Sequence, residues 1–230
     1  VMGKKWPKRI SPSGIAVQPK SGDLYVVTRW DNSMYIYQPQ TKKLLKKVDL
    51  GGEGYQIIMQ SDGRYAYVSC WGSDQVKVWD VARAEWMAEI PVGSHPNEMC
   101  LDEKNNRLFV ANANDNSVSV INLMQRRVEE TLNASLFSES LSGSTTNGLC
   151  LLAHGKQLAI ANADNNCLAL FDVSVPGQSR SLGFIPVGWY PTNVKAVKNK
   201  LWVTNGKGLS SMANPYGPSP VDRREKVEHH

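Results

Sequence analysis

Five short segments of the 230-residue chain repeat one another: Tyr25-Val26-Val27-Thr28, Tyr67-Val68-Ser69-Cys70, Phe109-Val110-Ala111-Asn112, Ala159-Ile160-Ala161-Asn162 and Trp202-Val203-Thr204-Asn205. Their last residues lie forty-two, forty-two, fifty and forty-three positions apart. A period of about 40–45 residues built from short strands belongs to propeller blades, in which each repeat buries its apolar faces only against its neighbours. The fifty-residue interval holds one longer loop, 132–146, dominated by Ser, Gly and Thr.

One repeat reads strand by strand. Residues 98–102 are an apolar strand, and 103–106 form a turn of residues that tolerate left-handed backbone. A second strand follows at 107–113 and a tight Asn-Asp-Asn loop at 114–116. In 117–122, Val118 and Val120 alternate with polar neighbours, the pattern of a half-buried third strand. A turn at 125–127 leads to an outer strand at 128–132. Four strands per repeat with no helical periodicity predict an all-β propeller of four-stranded antiparallel blades, of the YVTN and WD40 kind. The blades fall at about 11–53, 54–95, 96–145 and 146–190, with a partial fifth from 191. Its first two strands are expected at 193–197 and 201–205. A seven-bladed ring at this period needs roughly 290 residues. The chain is therefore expected to be an arc of about five blades from a single propeller domain.

Composition narrows the function. No apolar run approaches about 18 residues, so no membrane span is expected. The net charge is +5. The basic clusters Lys4-Lys5-Lys8-Arg9, Lys42-Lys43-Lys46-Lys47 and Arg223-Arg224-Lys226 lack the interleaved stacking aromatics of a nucleic-acid groove, so no nucleic-acid partner is expected. Cys70, Cys100, Cys150 and Cys167 show no paired metal-ligand spacing and are expected to be free thiols.

The strand followed by Asn-Asp-Asn, then Val-x-Val and a Val-Gly-x-x-Pro loop, resembles the YVTN-repeat propellers of surface-layer and periplasmic proteins over about 11–205. Val187-Gly188-Trp189-Tyr190-Pro191-Thr192, with Thr204-Asn205-Gly206-Lys207-Gly208 and Asn214-Pro215-Tyr216-Gly217-Pro218, resembles a bacterial subgroup. In that subgroup a YncE-like propeller precedes an alkaline-phosphatase-like phosphoesterase domain. The resemblance implies an exported parent at the periplasm or cell surface. Its metal-dependent hydrolase would lie downstream, leaving no cofactor in this chain.

Side chains shared by every blade serve the blade. Asn112, Asn162 and Asn205 are expected to bond the following loop, and Asp115 and Asp164 to stabilise tight turns. Side chains special to one blade, on the face where the blade-to-blade loops meet the loops between second and third strands, are the functional candidates. These are Arg29, Trp30, Tyr55, Trp71, His95, Asn97, Glu98, Asn147, Trp189, Tyr190, Asn193 and Lys207. Two adjacent aromatics in a surface loop, Trp189 and Tyr190, invite a partner.

His95 and Glu98 are spaced as an acid–base pair but lack an orienting third group, so no catalytic residue and no metal ligand are assigned. The expected function is a non-catalytic module that binds a small molecule, an envelope component or its own phosphoesterase domain. The alternative is a propeller enzyme of lactonase or hydrolase type, working around calcium at the channel mouth. That chemistry needs several converging carboxylates, and the corresponding slots hold only Glu98.

Overall fold

A computed structural model describes residues 10–137, 143–198 and 200–209. The first blade is β1 (Pro12–Val17), β2 (Leu24–Thr28), β3 (Ser33–Gln38) and β4 (Lys43–Asp49). The second is β5 (Gly54–Met59), β6 (Tyr65–Cys70), β7 (Gln75–Asp80) and β8 (Glu85–Pro91). The third is β9 (Pro96–Asp102), β10 (Arg107–Asn112), β11 (Ser117–Asn122) and β12 (Arg127–Asn133). The fourth is β13 (Thr146–Leu152), β14 (Gln157–Asn162), β15 (Cys167–Asp172) and β16 (Arg180–Pro186). A two-stranded sheet follows, β17 (Pro191–Val197) with β18 (Lys200–Asn205).

Every sheet is antiparallel and keeps chain order, so each blade is a plain meander. The all-β architecture and the count of about five blades match the sequence expectation. Among the described residues helical structure is confined to three single 3₁₀ turns, at Trp71–Ser73, Glu103–Asn105 and Ala153–Gly155. No described helix is long and apolar enough to cross a membrane. The terminal basic clusters and the 214–218 motif lie outside the described residues.

The core lies between neighbouring blades. Val27, Met34, Val68 and Trp79 join the first to the second. Tyr67, Val78, Leu108 and Ile121 join the second to the third. Phe109, Val120, Leu158 and Ile160 join the third to the fourth. Ala161, Leu168 and Val194 join the fourth to the fifth sheet. The outer strands β4 and β16 are mostly exposed.

One irregularity recurs in every blade and positions the site. The pairing of each first strand with its second slips near the loop end: between Pro12 and Gly14, Gly54 and Gln56, Val110 and Asn112, Thr146 and Leu149, and Pro191 and Asn193. A bulge adds a residue, bends the strand and re-aims a side chain. The residues set at these bulges include Tyr55, Asn97, Glu98 and Asn147. Two blades carry glycine beside the bulge because the next inner strand comes too close for a side chain. A Cβ at Gly14 would lie 2.9 Å from the Gln56 Cα, and one at Gly148 would lie 2.6 Å from the Asn193 Cα.

Asn112 and Asn162 are fully buried, but their bonds differ from the expected ones. Asn112 Nδ2 donates to the hydroxyls of Ser117 and Ser119 on β11, at 2.9 Å each. Asn162 Nδ2 donates to the Ala134 carbonyl of the preceding blade. The amides therefore tie strands and blades together, whereas the expectation was a bond to the following loop. The loop-to-loop bonds come from the last residue of the turn between second and third strands. Asp74 Oδ1 accepts from His95 N, Asn116 Oδ1 from Ser144 N, and Asn166 Oδ1 from Tyr190 N. These turn residues hold left-handed backbone, with φ of 51°, 51° and 53°, where Asn and Asp are well tolerated.

Candidate functional site at the loop face

The loops that leave each outer strand and those that join β2 to β3, β6 to β7 and their equivalents emerge on one face. On its outer part four candidates form a continuous contact. The Arg29 guanidinium lies 5.0 Å from the Trp71 ring and 6.0 Å from the Tyr55 ring, and its Nη2 sits 3.2 Å from Glu53 Oε2. Trp71 meets His95 edge to face, with ring centroids 4.1 Å apart. His95 Nδ1 is 2.7 Å from Ser94 Oγ and 2.9 Å from Asn114 Nδ2. His95, Tyr190 and Thr145 occupy equivalent positions ahead of the first strand of their blades, and all have positive φ.

On the inner part the candidates converge at the channel mouth. Asn193 Nδ2 donates to both Glu98 carboxylate oxygens, at 3.3 and 3.2 Å, and Lys195 Nζ lies 3.3 Å from Oε1. This contact joins the third blade to the fifth sheet. The intervening blade has Gly148 in the matching slot, so no side chain stands between them. The Glu98 side chain keeps 15% of its surface exposed, so its carboxylate remains within reach of a ligand. Burial pushes the Tyr55 hydroxyl above the usual phenol range; Glu98 and Tyr190 reinforce the shift and Arg29 opposes it. Tyr55 thus stands at the mouth as a neutral donor.

Asn97 and Asn147 are structural in this arrangement. Asn97 is buried, and its Nδ2 donates to the Thr146 carbonyl and to Asn147 Oδ1, at 3.1 Å each. Asn97 Oδ1 accepts from Glu98 N. Gln56 Oε1 accepts from Met99 N, and Ser69 Oγ donates to the Asn97 carbonyl. A polar belt of this kind satisfies the backbone groups that the bulges release.

Trp189 and Tyr190 lie at the far end of the arc. The loop is held by Trp189 N to the Gly208 carbonyl and by Lys207 N to the Trp189 carbonyl. Lys207 Nζ sits 4.4 Å over the Tyr190 ring. Trp189 stays 39% exposed and Trp30, on the first blade, 67% exposed.

The structure therefore brings Arg29, Tyr55, Trp71 and His95 together, and joins Glu98 to Asn193. It does not join His95 to Glu98: each has its own partners. Sequence reading missed Lys195, Asn114 and Asp74. Lys195 was within reach of it, because period two along β17 puts residue 195 on the same side as Asn193.

Neither the turn carboxylates nor the channel mouth offers the donors that calcium needs. Asp115 Oδ2 accepts from Ser94 N, and Asp164 Oδ2 from the Thr145 hydroxyl. At the mouth the ammonium of Lys195 already faces the one carboxylate, while the amide oxygens of Asn97 and Asn147 accept hydrogen bonds. Calcium asks for about 6–8 oxygen ligands. No group of three or more His, Cys, Asp or Glu side chains converges among the described residues.

Comparison with known proteins agrees with the fold. The family model described as "Lactonase, 7-bladed beta-propeller" matches residues 52–138, which include Tyr55, Trp71, His95 and Glu98. A search of curated proteins finds no match. Among solved structures, hydrazine synthase of Kuenenia stuttgartiensis is similar at 18% identity and a TM-score of 0.63, over 85% of this chain and 55% of that one. A chain of the nidogen/laminin complex is similar at 16% identity and a TM-score of 0.61, over 85% and 72%. A functionally unknown protein from Desulfotomaculum acetoxidans is similar at 10% identity and a TM-score of 0.68, over 84% and 62%. The chain thus spans 55% to 72% of the length of these proteins. At such identities the likeness is one of propeller fold.

Proposed function

We propose that the chain is a non-catalytic propeller module that binds a partner through its loop face. The reading rests on one arrangement: Arg29, Tyr55, Trp71 and His95 form a contiguous aromatic and cationic surface, and the same face carries exposed Trp30 and Trp189. Flat rings beside hydrogen-bonding side chains suit a partner with apolar faces and polar edges, such as an envelope glycan. The resemblance of 187–218 to YncE-like propellers adds a setting for it. There the module positions a fused phosphoesterase domain in a protein exported to the periplasm or cell surface, and any divalent metal belongs to that domain.

Soluble peptidoglycan fragments, titrated against the tryptophan fluorescence of the chain, test the reading. Saturable binding that weakens about tenfold or more in Trp189→Ala/Tyr190→Ala, with the far-ultraviolet spectrum unchanged, is expected, since aromatic anchors commonly carry about 2 kcal/mol or more. Unchanged affinity in that variant would remove the loop face from the account.

A second reading has one observation in its favour, the lactonase family match over residues 52–138. In it Glu98 accepts the proton of a water that attacks a lactone carbonyl at the channel mouth, Tyr55 donates a hydrogen bond to the carbonyl oxygen, and the ring C–O bond breaks with the proton passing to the leaving oxygen. Lys195 and Asn193 would orient the carboxylate.

A further inference from the structure

The opposite face of the molecule carries a cleft that the proposed function does not use. It opens between the second and third blades, with a volume of about 310 Å³. That is the lower end of the range for small-molecule sites, roughly 300–1,000 Å³. Its apolar wall is Val78, Met87, Ile90, Leu123 and Met124. Met124, at the β11–β12 turn, is 76% exposed and forms an apolar rim.

The other end of the cleft is polar. Tyr67 lines it and is only 3% exposed, yet its hydroxyl has no hydrogen-bond partner among the described residues. Gln60 also lines it. Two arginines line the same end. Arg64 is paired with Asp62, its Nε 2.5 Å from the carboxylate. Arg126 has no ion-pair partner among the described residues. Burial, reinforced by Tyr65, Asp62 and Glu103, holds the Tyr67 hydroxyl above the ordinary phenol range, so it is a donor at neutral pH.

We propose that this cleft binds a small monocarboxylate with an aliphatic body, its carboxylate held by Arg126 and the Tyr67 hydroxyl. Arg126, in no ion pair among the described residues, and the Tyr67 hydroxyl offer one cation and one donor to a single negative charge. Flexible Met87 and Met124 match an aliphatic chain better than a rigid ring, because methionine fills irregular space. The site is independent of the loop-face reading and would stand if that reading failed.

The test is a titration of the full chain with octanoate, and in parallel with octan-1-ol, followed by methionine methyl NMR. The expected result is a saturable shift confined to Met87 and Met124 among the seven methionines. Octanoate should bind about tenfold or more tightly than octanol, and Arg126→Gln and Tyr67→Phe should each remove most of that difference. Tenfold is the loss of one charge-assisted contact, about 1.4 kcal/mol. Equal binding of octanol, shifts at other methionines, or no shift overturns the proposal. The comparison of the two ligands needs only the unaltered chain, so it decides the matter even where a variant fails to fold.

Discussion

Strand β9 carries two carboxylates four residues apart with opposite fates. Asp102, at the end away from the loop face, is buried with Arg107, whose Nη2 lies 2.8 Å from Oδ2; their side chains are 6% and 2% exposed. Asn105 N and Nδ2 also donate to Asp102. Arg107 Nη1 donates to the Val173 carbonyl of the fourth blade and stacks over Phe109. Glu98, at the loop end, is held by Asn193 and Lys195, about a hundred residues away, and Lys195 is 62% exposed. The first carboxylate is fixed by neighbours within five residues and pins two blades together. The second depends on a solvated partner that a ligand can displace. A carboxylate that builds the fold and one available for binding are thus distinguished by how close in sequence, and how dry, their partners are.

Breaking the buried pin should have the largest effect. Arg107→Met leaves Asp102 charged and buried, and should lower unfolding free energy by about 3–5 kcal/mol, read by urea denaturation. Adding Asp102→Leu should return much of that loss, because a buried pair replaced by apolar groups is often neutral. The same double change at Glu98 and Lys195 should show almost no coupling.

Gly148→Ala tests why Glu98 can reach past the fourth blade. The new Cβ would meet the Asn193 backbone, and overpacking of this sort costs about 1–3 kcal/mol.

Cys100 lies between the two carboxylates on β9, and its thiol reports on the middle of the strand. Burial pushes it up to about 11, and pushes Cys70 up to about 12, from 9.0. Their thiols should be unreactive in the native protein at pH 8, while four should titrate after denaturation. Both folded-state values lie above the unfolded one. Stability should therefore hold below pH 9 and fall as the pH rises from 9 through 11, where the unfolded chain ionises first.

Much of this architecture was legible beforehand. The repeat announced four-stranded antiparallel sheets and about five blades, and the strands expected at 98–132 and 193–205 fell within about two residues of the observed ones. The proline-led starts at Pro96 and Pro191 were missed because proline reads as a loop signal, although an edge position at the first residue of a strand tolerates it. The site was legible as a face and not as a set of contacts. His95 and Glu98 are near in sequence, yet the bulge at Asn97 and Glu98 sends them to different partners. The bond from Glu98 to Asn193 requires the curvature of three consecutive blades and a glycine in the middle one, which no local pattern announces. The repeated asparagines were recognised as structural, but their acceptors lie in other strands, so local turn chemistry named the wrong ones.

The smallest stability effect should come from Glu98→Gln. Its charged partner Lys195 is 62% exposed, and a pair with so solvated a partner contributes about 0–1 kcal/mol, so the melting curve should barely move.

That variant also gives the most direct test of the central claim, that the loop end of β9 binds without catalysis. The measurement is the hydrolysis rate of a δ-lactone and of p-nitrophenyl phosphate by the purified chain, with and without calcium or zinc. The account predicts rates equal to buffer alone for both the chain and Glu98→Gln. Turnover above buffer that disappears in Glu98→Gln would contradict it and establish the channel mouth as an active site.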